Sequence, residues 1–313
     1  MNYKKIIKSR ETRIKLLSLL NFIPDKTMIK LQYYIKTGRR LNLKHPQRYT
    51  EKLQWYKLYY RDPLMQQCSD KYDVREYVKS KGLGHILNEC YGVYERVEDI
   101  DFDSLPNQFV LKDTLGGGGN SVIICKDKPT FDFEIAKKQM QKWLKINSNR
   151  KNEGREWVYT GRKKHRIIIE KYISAPNDNL IDYKFFCFSG KPYIFYLITD
   201  RNLGDHGKAV ILDMNYNRVP ARTLTQSILE DIPPKPQNFE KMIEYASALS
   251  EDFPHVRVDF YNVDGNILFG ELTFFGASGY QKFVPDAFDF VLGRKFALPE
   301  KIISNKFYII RRG

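Results

Sequence analysis

Charged side chains stand inside apolar, strand-like runs at four places in this 313-residue chain. Burying an unpaired charge is costly, so each needs a partner or a ligand. Lys112 ends the run Phe109-Val110-Leu111-Lys112, and Gly116, Gly117, Gly118, Gly119 and Asn120 follow, before a second short run, Val122-Ile123-Ile124. Consecutive glycines stabilise neither helix nor sheet, but they let bare N–H groups approach an anion. Beside Lys112 they suit a lid over a polyphosphate; a plain flexible turn explains the glycines alone. No Gly-Lys-Ser/Thr follows, and a strand rather than a helix comes next, so neither a P-loop nor a dinucleotide fingerprint is present.

The second place is Arg166-Ile167-Ile168-Ile169-Glu170-Lys171-Tyr172-Ile173. A strand end with free backbone groups suits an adenine edge; an ordinary edge strand fits as well. The third is Asp182-Tyr183-Lys184-Phe185-Phe186-Cys187-Phe188. Asp182 and Lys184 share a face. The carboxylate could hold ribose hydroxyls and the lysine a phosphate; a salt bridge on a half-exposed strand is the alternative. The fourth is Val256-Arg257-Val258-Asp259-Phe260-Tyr261, a turn near Asp264-Gly265, then Leu268-Phe269-Gly270-Glu271-Leu272-Thr273. This reads as a hairpin. Paired in register, it brings Asp259, Glu271 and Arg257 together. Adjacent carboxylates repel unless a cation sits between them, and hard oxygen donors favour Mg²⁺. Arg257 could stabilise charge on a transferred phosphoryl group. A cross-strand Arg257–Glu271 ion pair is the competing reading.

The elements that must position these residues follow from apolar period. Helices are expected at 11–22, 26–37, 49–60, 69–81, 130–149 and 238–251. Strands are expected at 85–94, 108–112, 121–126, 165–172, 182–189, 192–199, 208–214, 255–262 and 267–273. The fold class is α+β with antiparallel-rich sheets. Apolar residues make up 42% of the chain, enough for a sizeable core. No apolar run approaches the roughly 18 residues of a membrane span, and no leader pattern is visible, so a cytoplasmic protein is expected. Four scattered cysteines signal neither zinc nor disulfides. The net charge is +15, and residues 1–50 hold 13 Lys and Arg against Glu11 and Asp25. Such a segment fits an anionic membrane or a nucleic acid; a packed helix pair is the alternative.

The order of these motifs resembles the ATP-grasp superfamily, and more narrowly the TupA-like ATP-grasp family of bacterial surface-polymer and capsule genes. Tyr49-Thr50-Glu51-Lys52-Leu53-Gln54-Trp55 and Asp70-Lys71-Tyr72-Asp73-Val74-Arg75-Glu76-Tyr77 support it, beside three of the runs above. The likeness spans about Leu43 to Pro299. It implies an N-terminal basic helical region (1–68) and an ATP-grasp catalytic region (69–313), with a nucleotide-binding lobe at about 108–180 and a metal-binding lobe at about 181–299. It implies ATP and Mg²⁺ as cofactors. Lys71 and Lys112 would meet the ATP phosphates under the Gly116–Asn120 loop. Glu170, Lys171, Tyr172 and Ile173 would hold adenine, and Asp182 ribose. Asp259 and Glu271 would hold Mg²⁺, with Arg257 at the reacting phosphoryl group. Thr273 stands where many relatives have Asn, which puts a second metal in question.

The implied reaction is carboxylate–amine ligation through an acyl phosphate, modifying a sugar acid or peptide of a surface polymer. A kinase with a hydroxyl acceptor is the nearest rival, and a glycosyltransferase of polymer synthesis the next. The expected partners are a carboxylate acceptor, an amine donor and, through residues 1–40, the inner face of an anionic membrane; no nucleic acid is expected. The loop Phe275–Lys282, with Ser278, could line the acceptor pocket or be a plain turn.

Overall fold

The computed structural model describes residues 12, 17, 19–117, 121–147, 153–161, 164–175, 179–200 and 207–302. Helices among them are α1 (Asp25–Thr37), α2 (Tyr49–Tyr59), α3 (Pro63–Ser69), α4 (Val74–Ser80), α5 (Phe133–Leu144), α6 (Phe239–Ser250) and α7 (Phe288–Lys295). The strands that matter here are β1 (Cys90–Tyr94), β2 (Phe109–Asp113), β3 (Val122–Cys125), β4 (Ile167–Lys171), β5 (Asp182–Phe188), β6 (Lys191–Thr199) and β7 (Lys208–Asp213). A two-residue strand, Ser227–Ile228 (β8), and the long strands β9 (His255–Val263) and β10 (Asn266–Thr273) complete the set. Half of the expected helix at 11–22 lies outside the described residues. The expected helix at 69–81 begins only at Val74, because the Asp70 side chain accepts the N–H groups of Tyr72 and Asp73 and turns the chain there; the helix Pro63–Ser69 before it was not expected.

The described residues form two compact units. One gathers 1–66, 148–163 and 275–313; the other comprises 67–147 and 164–274. This grouping is drawn differently from the expected 1–68 and 69–313 division, since two later segments join the N-terminal residues.

The first unit is helical. Helix α2 begins in a box in which Glu51 accepts from the backbone N–H groups of Gln47 and Arg48. Helix α7 packs on α2, where Asp289 accepts from the Thr50 N–H and hydroxyl at 3.0 and 2.8 Å. A side chain on Gly293 would strike the Gln47 backbone, so only glycine permits that approach.

The second unit holds two antiparallel-rich sheets. The four-stranded sheet runs β1-β4-β2-β3, and Phe109, Leu111, Ile167 and Ile169 pack beneath Ala136, Met140 and Trp143 of α5. Asp132 caps α5 by accepting from Ile135 N. The six-stranded sheet runs β10-β9-β5-β6-β7-β8, antiparallel except for the short β7–β8 pair. Phe185 and Phe195 stack at 5.1 Å and meet Phe239 of α6 at 5.9 and 5.1 Å, which seals one face with aromatic surface.

His255, fully buried at the start of β9, donates from Nδ1 to Cys187 O at 2.8 Å and stacks on Phe188. Burial, with Arg257 acting the same way, lowers its pKa from 6.5 to about 3 against that hydrogen bond. Between these values the unfolded chain binds the extra proton. Stability therefore rises with pH across the window and is lost as pH falls through it. We expect unfolding free energy to fall by about 1 kcal/mol per pH unit from pH 6 to 4 through this residue. Urea unfolding across that range should show a flatter slope in His255→Phe; an unchanged slope would reject the assignment.

Candidate functional site

Period two decides which side chains of the four-stranded sheet leave its core. With Phe109, Leu111, Ile167 and Ile169 facing α5, Lys112 and Glu170 fall on the other face. Lys112 Nζ lies 2.6 Å from Glu170 Oε2, and Arg75 Nη1 lies 3.5 Å from Glu170 Oε1. The carboxylate expected at the adenine hinge is thus held by two cations. The backbone of Lys171 is also engaged: its N–H donates to Glu89 O, and its carbonyl accepts from Asn88 Nδ2. Tyr172 and Ile173 follow in irregular chain beyond β4.

Lys71 sits in the turn between α3 and α4. Its backbone N–H donates to Thr114 O at 2.9 Å, and its Nζ donates to Gly116 O. The base of the glycine loop is fixed as well. Gly116 N donates to Asp113 O, Leu115 N to Asp113 Oδ1, and His165 Nδ1 lies 2.8 Å from Asp113 Oδ2. Gly117 is described; Gly118, Gly119 and Asn120 lie outside the described residues. Burial lowers the Lys71 pKa; the Glu271 and Asp113 carboxylates oppose it, and Lys112 adds to it. One ammonium therefore feels Lys112 from the four-stranded sheet and Glu271 from the six-stranded sheet.

Glu271 reaches that position because of a bulge. In β9, Val258 and Phe260 point to the core, while Arg257 and Asp259 share the opposite face. The ladder pairs Phe260 with Phe269 and Asp259 with Glu271, so Gly270 is the extra residue. Phe269 and Glu271 are two apart, yet they face opposite sides. A Cβ on Gly270 would meet Asp259 O at 3.0 Å, so glycine suits the bulge. Beyond it, Leu272 takes the core side, and Thr273 stands opposite Arg257.

Strand β5 adds Lys184 directly across from Asp259 and Asp182 across from Tyr261. One sheet face thus carries Asp182, Lys184, Arg257, Asp259, Glu271 and Thr273. Arg257 Nε and Nη2 donate to the two Asp259 oxygens at 2.6 and 2.7 Å, and Nη2 also reaches Glu271 Oε1 and Thr273 Oγ1 at 3.1 and 3.0 Å. Lys184 Nζ lies 2.6 Å from Asp259 and 3.4 Å from Asp182. Burial alone would raise the Asp259 pKa, but Arg257 and Lys184 outweigh it and hold the carboxyl at about 2. Burial likewise opposes the charge of Arg257, and Asp259, Glu271 and Asp182 overcome it, so its pKa is raised. The cross-strand ion pair that competed with the cation-site reading is present. Lys184, expected at a phosphate, is buried between two carboxylates.

The donor set can be weighed against Mg²⁺. Among the described residues, no group of three or more His, Cys, Asp or Glu is placed to hold a metal. Asp259 and Glu271 are the in-register carboxylates, and the Thr273 hydroxyl lies 3.1 Å from Glu271 Oε1. Two carboxylates and a hydroxyl fit an ion that takes its remaining ligands from phosphates and water. Glu271, 44% exposed, is the accessible member; Asp259 would exchange a cation partner on binding.

Several polar partners escaped the sequence reading. Arg166 donates to Asp70 and Asp73 at 3.0 and 2.7 Å, which anchors the turn that carries Lys71. Arg75 and the Asp113–His165 pair are the others. The signal was His165-Arg166 immediately before an apolar run, and Asp113 just after Lys112. In the first unit, buried Lys57 donates to Gln54 Oε1, Gly154 O and Ser278 O at 3.1, 2.9 and 2.8 Å. Burial pulls its pKa down to about 7, against the Glu156 carboxylate. It braces a turn in which Ala277, Ser278 and Gly279 all have positive φ.

The family model for TupA-like ATPgrasp proteins matches residues 51–297. The chain belongs to that family and has the ATP-grasp fold, with an N-terminal helical region and mostly antiparallel sheets. No curated protein matches it. Among solved structures it is similar to a D-alanine–D-alanine ligase from Bacillus anthracis, with 18% identity over 66% of this chain and 56% of that one, TM-score 0.41. It is similar to an L-amino acid ligase from Bacillus licheniformis, with 12% identity over 75% and 49%, TM-score 0.43. It is also similar to an N5-carboxyaminoimidazole synthetase from Staphylococcus aureus complexed with ADP, with 13% identity over 76% and 55%, TM-score 0.42. The chain spans about half the length of these proteins.

Proposed function

We propose that this protein is an ATP- and Mg²⁺-dependent carboxylate–amine ligase acting through an acyl phosphate. One observation carries the reading: the bulged hairpin sets Asp259 opposite Glu271 and Arg257 opposite Thr273, with Arg257 in hydrogen-bond reach of all three, on one face of the six-stranded sheet. Membership of an ATP-grasp family supplies the nucleotide.

Lys71 and Lys112 hold the phosphates, beside the backbone of Gly116 and Gly117. Lys112 leaves Glu170 for the nucleotide, which frees that carboxylate for the adenine amino group. Asp182 meets the ribose. Glu271, Thr273 and Asp259 would hold Mg²⁺, which would supply neutralisation of phosphate charge. Arg257 orients and neutralises the transferring phosphoryl group. The acceptor carboxylate oxygen forms a bond to the γ-phosphorus as the bond to the ADP oxygen breaks. An amine then attacks the acyl carbon, expels inorganic phosphate and loses a proton. The acceptor is a sugar acid or peptide of a surface polymer, on the family resemblance.

Hydroxylamine separates this reaction from its rival. With ATP, Mg²⁺ and a panel of uronic acids and amino acids, a ligase yields a hydroxamate from the acyl phosphate. ADP release accompanied by a stable phosphorylated hydroxyl, with no hydroxamate, would establish a kinase instead.

A further inference from the structure

Helix α1 is apolar on two sides. Met28, Ile29 and Tyr33 are buried in the first unit, which accounts for one. On the other, Leu31, Tyr34 and Ile35 are 48%, 57% and 42% exposed. An exposed apolar stripe on the side away from the core suits a second apolar phase, with basic residues beside it. The preceding turn adds Leu19 and Phe22, 70% and 81% exposed. Five of the large exposed apolar side chains therefore fall within 17 residues. Scattered exposed apolar groups are ordinary; Leu31, Tyr34 and Ile35, at i, i+3 and i+4 of one helix, form a stripe of the kind that marks an interaction surface.

The chemistry around the stripe selects its occupant. Thr27, Lys30, Leu31, Tyr34 and Ile35 share the exposed arc, and exposed Lys26, Arg40 and Lys44 lie close in sequence. The one acidic residue of this stretch, Asp25, pairs with Arg155 Nη1 at 3.0 Å. Lysine is depleted at protein interfaces, whereas lysines and a tyrosine flanking aliphatic side chains suit a lipid boundary. Residues 1–50 carry 13 basic against two acidic side chains, which complements anionic headgroups. No helix among the described residues is long and apolar enough to cross a membrane.

We infer that the exposed face of α1, with Leu19 and Phe22, docks this protein on an anionic bilayer surface. The apolar side chains enter the headgroup–acyl boundary, and Lys26 and Lys30 pair with lipid phosphates. Neither group alone gives firm attachment; together they do.

The test is co-sedimentation of the full chain with vesicles of phosphatidylcholine alone or with 30% phosphatidylserine, a proportion of about the anionic share of a natural leaflet. Wild-type protein should pellet only with the anionic vesicles, and less as salt rises. Leu31→Ser/Tyr34→Ser/Ile35→Ser and, separately, Lys26→Glu/Lys30→Glu should each weaken partitioning by about tenfold or more, with unfolding midpoints unchanged. Equal pelleting of wild type and both variants would overturn the inference. So would no pelleting, or sedimentation of a wild-type dimer that the apolar variant dissociates, which would give the stripe to a second copy.

Discussion

Glu271→Gln is expected to lower ATP turnover by about 10³-fold while leaving the fold intact. The substitution keeps the size of the side chain, and the amide oxygen can still accept from Arg257 Nη2 and Thr273 Oγ1. What it removes is charge, on the accessible carboxylate of the cation pair. Two further consequences follow. Half-saturation by Mg²⁺ should move to higher concentration, because a neutral amide is a poorer ligand than a carboxylate for a hard dication. Lys71 loses the strongest influence that opposes its burial, so its pKa should fall further and the alkaline limb of activity should move to lower pH. Steady-state ADP release against pH and Mg²⁺ concentration measures all three. Activity within tenfold of wild type, with an unmoved metal dependence, would remove Glu271 from the site.

Arg257→Ala is the second large effect, and it should strike both stability and chemistry. Arg257 binds both oxygens of buried Asp259 and bridges to Glu271 and Thr273. Removing one member of a buried ion pair costs about 3–5 kcal/mol, because the other charge stays buried. Here Lys184 remains 2.6 Å from Asp259, so the loss should sit at the lower end of that range. Removing Asp259 as well should restore part of it, since Lys184 keeps Asp182. A cycle of Arg257→Ala, Asp259→Ala and the double variant, read by urea unfolding, should give a favourable coupling of about 2 kcal/mol or more. Turnover should behave differently. The double variant regains stability and stays inactive, because both the guanidinium at the phosphoryl group and a carboxylate for Mg²⁺ are missing. A double variant that recovers both would make Arg257 a structural residue only.

The fold class and the alternation along its strands were legible in the sequence; several of the contacts that shape them were not. Alternation placed Arg257 with Asp259 and Glu271 with Thr273, and the turn at Asp264-Gly265 set their register. It did not disclose the bulge at Gly270, because one extra residue changes no residue type and only breaks parity between Phe269 and Glu271. The apolar run of β5 was legible, but its burial on both faces was not. Lys184 therefore read as a phosphate ligand, whereas it lies between Asp182 and Asp259. The turn at Asp70 was hidden inside a helical pattern, since it depends on Arg166, almost a hundred residues away. Helix α7 was missed because its apolar residues face α2, a contact that local period cannot reveal. The joining of residues 148–163 and 275–313 to the N-terminal unit rests on similarly distant contacts.

Calorimetric titration of the protein with ATP and Mg²⁺, beside Lys112→Met, tests the shared nucleotide site most directly. The geometry predicts saturable one-site binding by wild type, weakened about a hundredfold in a variant that remains folded, with Arg75 still paired to Glu170. Absence of nucleotide binding by wild type, or equal affinity in both proteins, would contradict it.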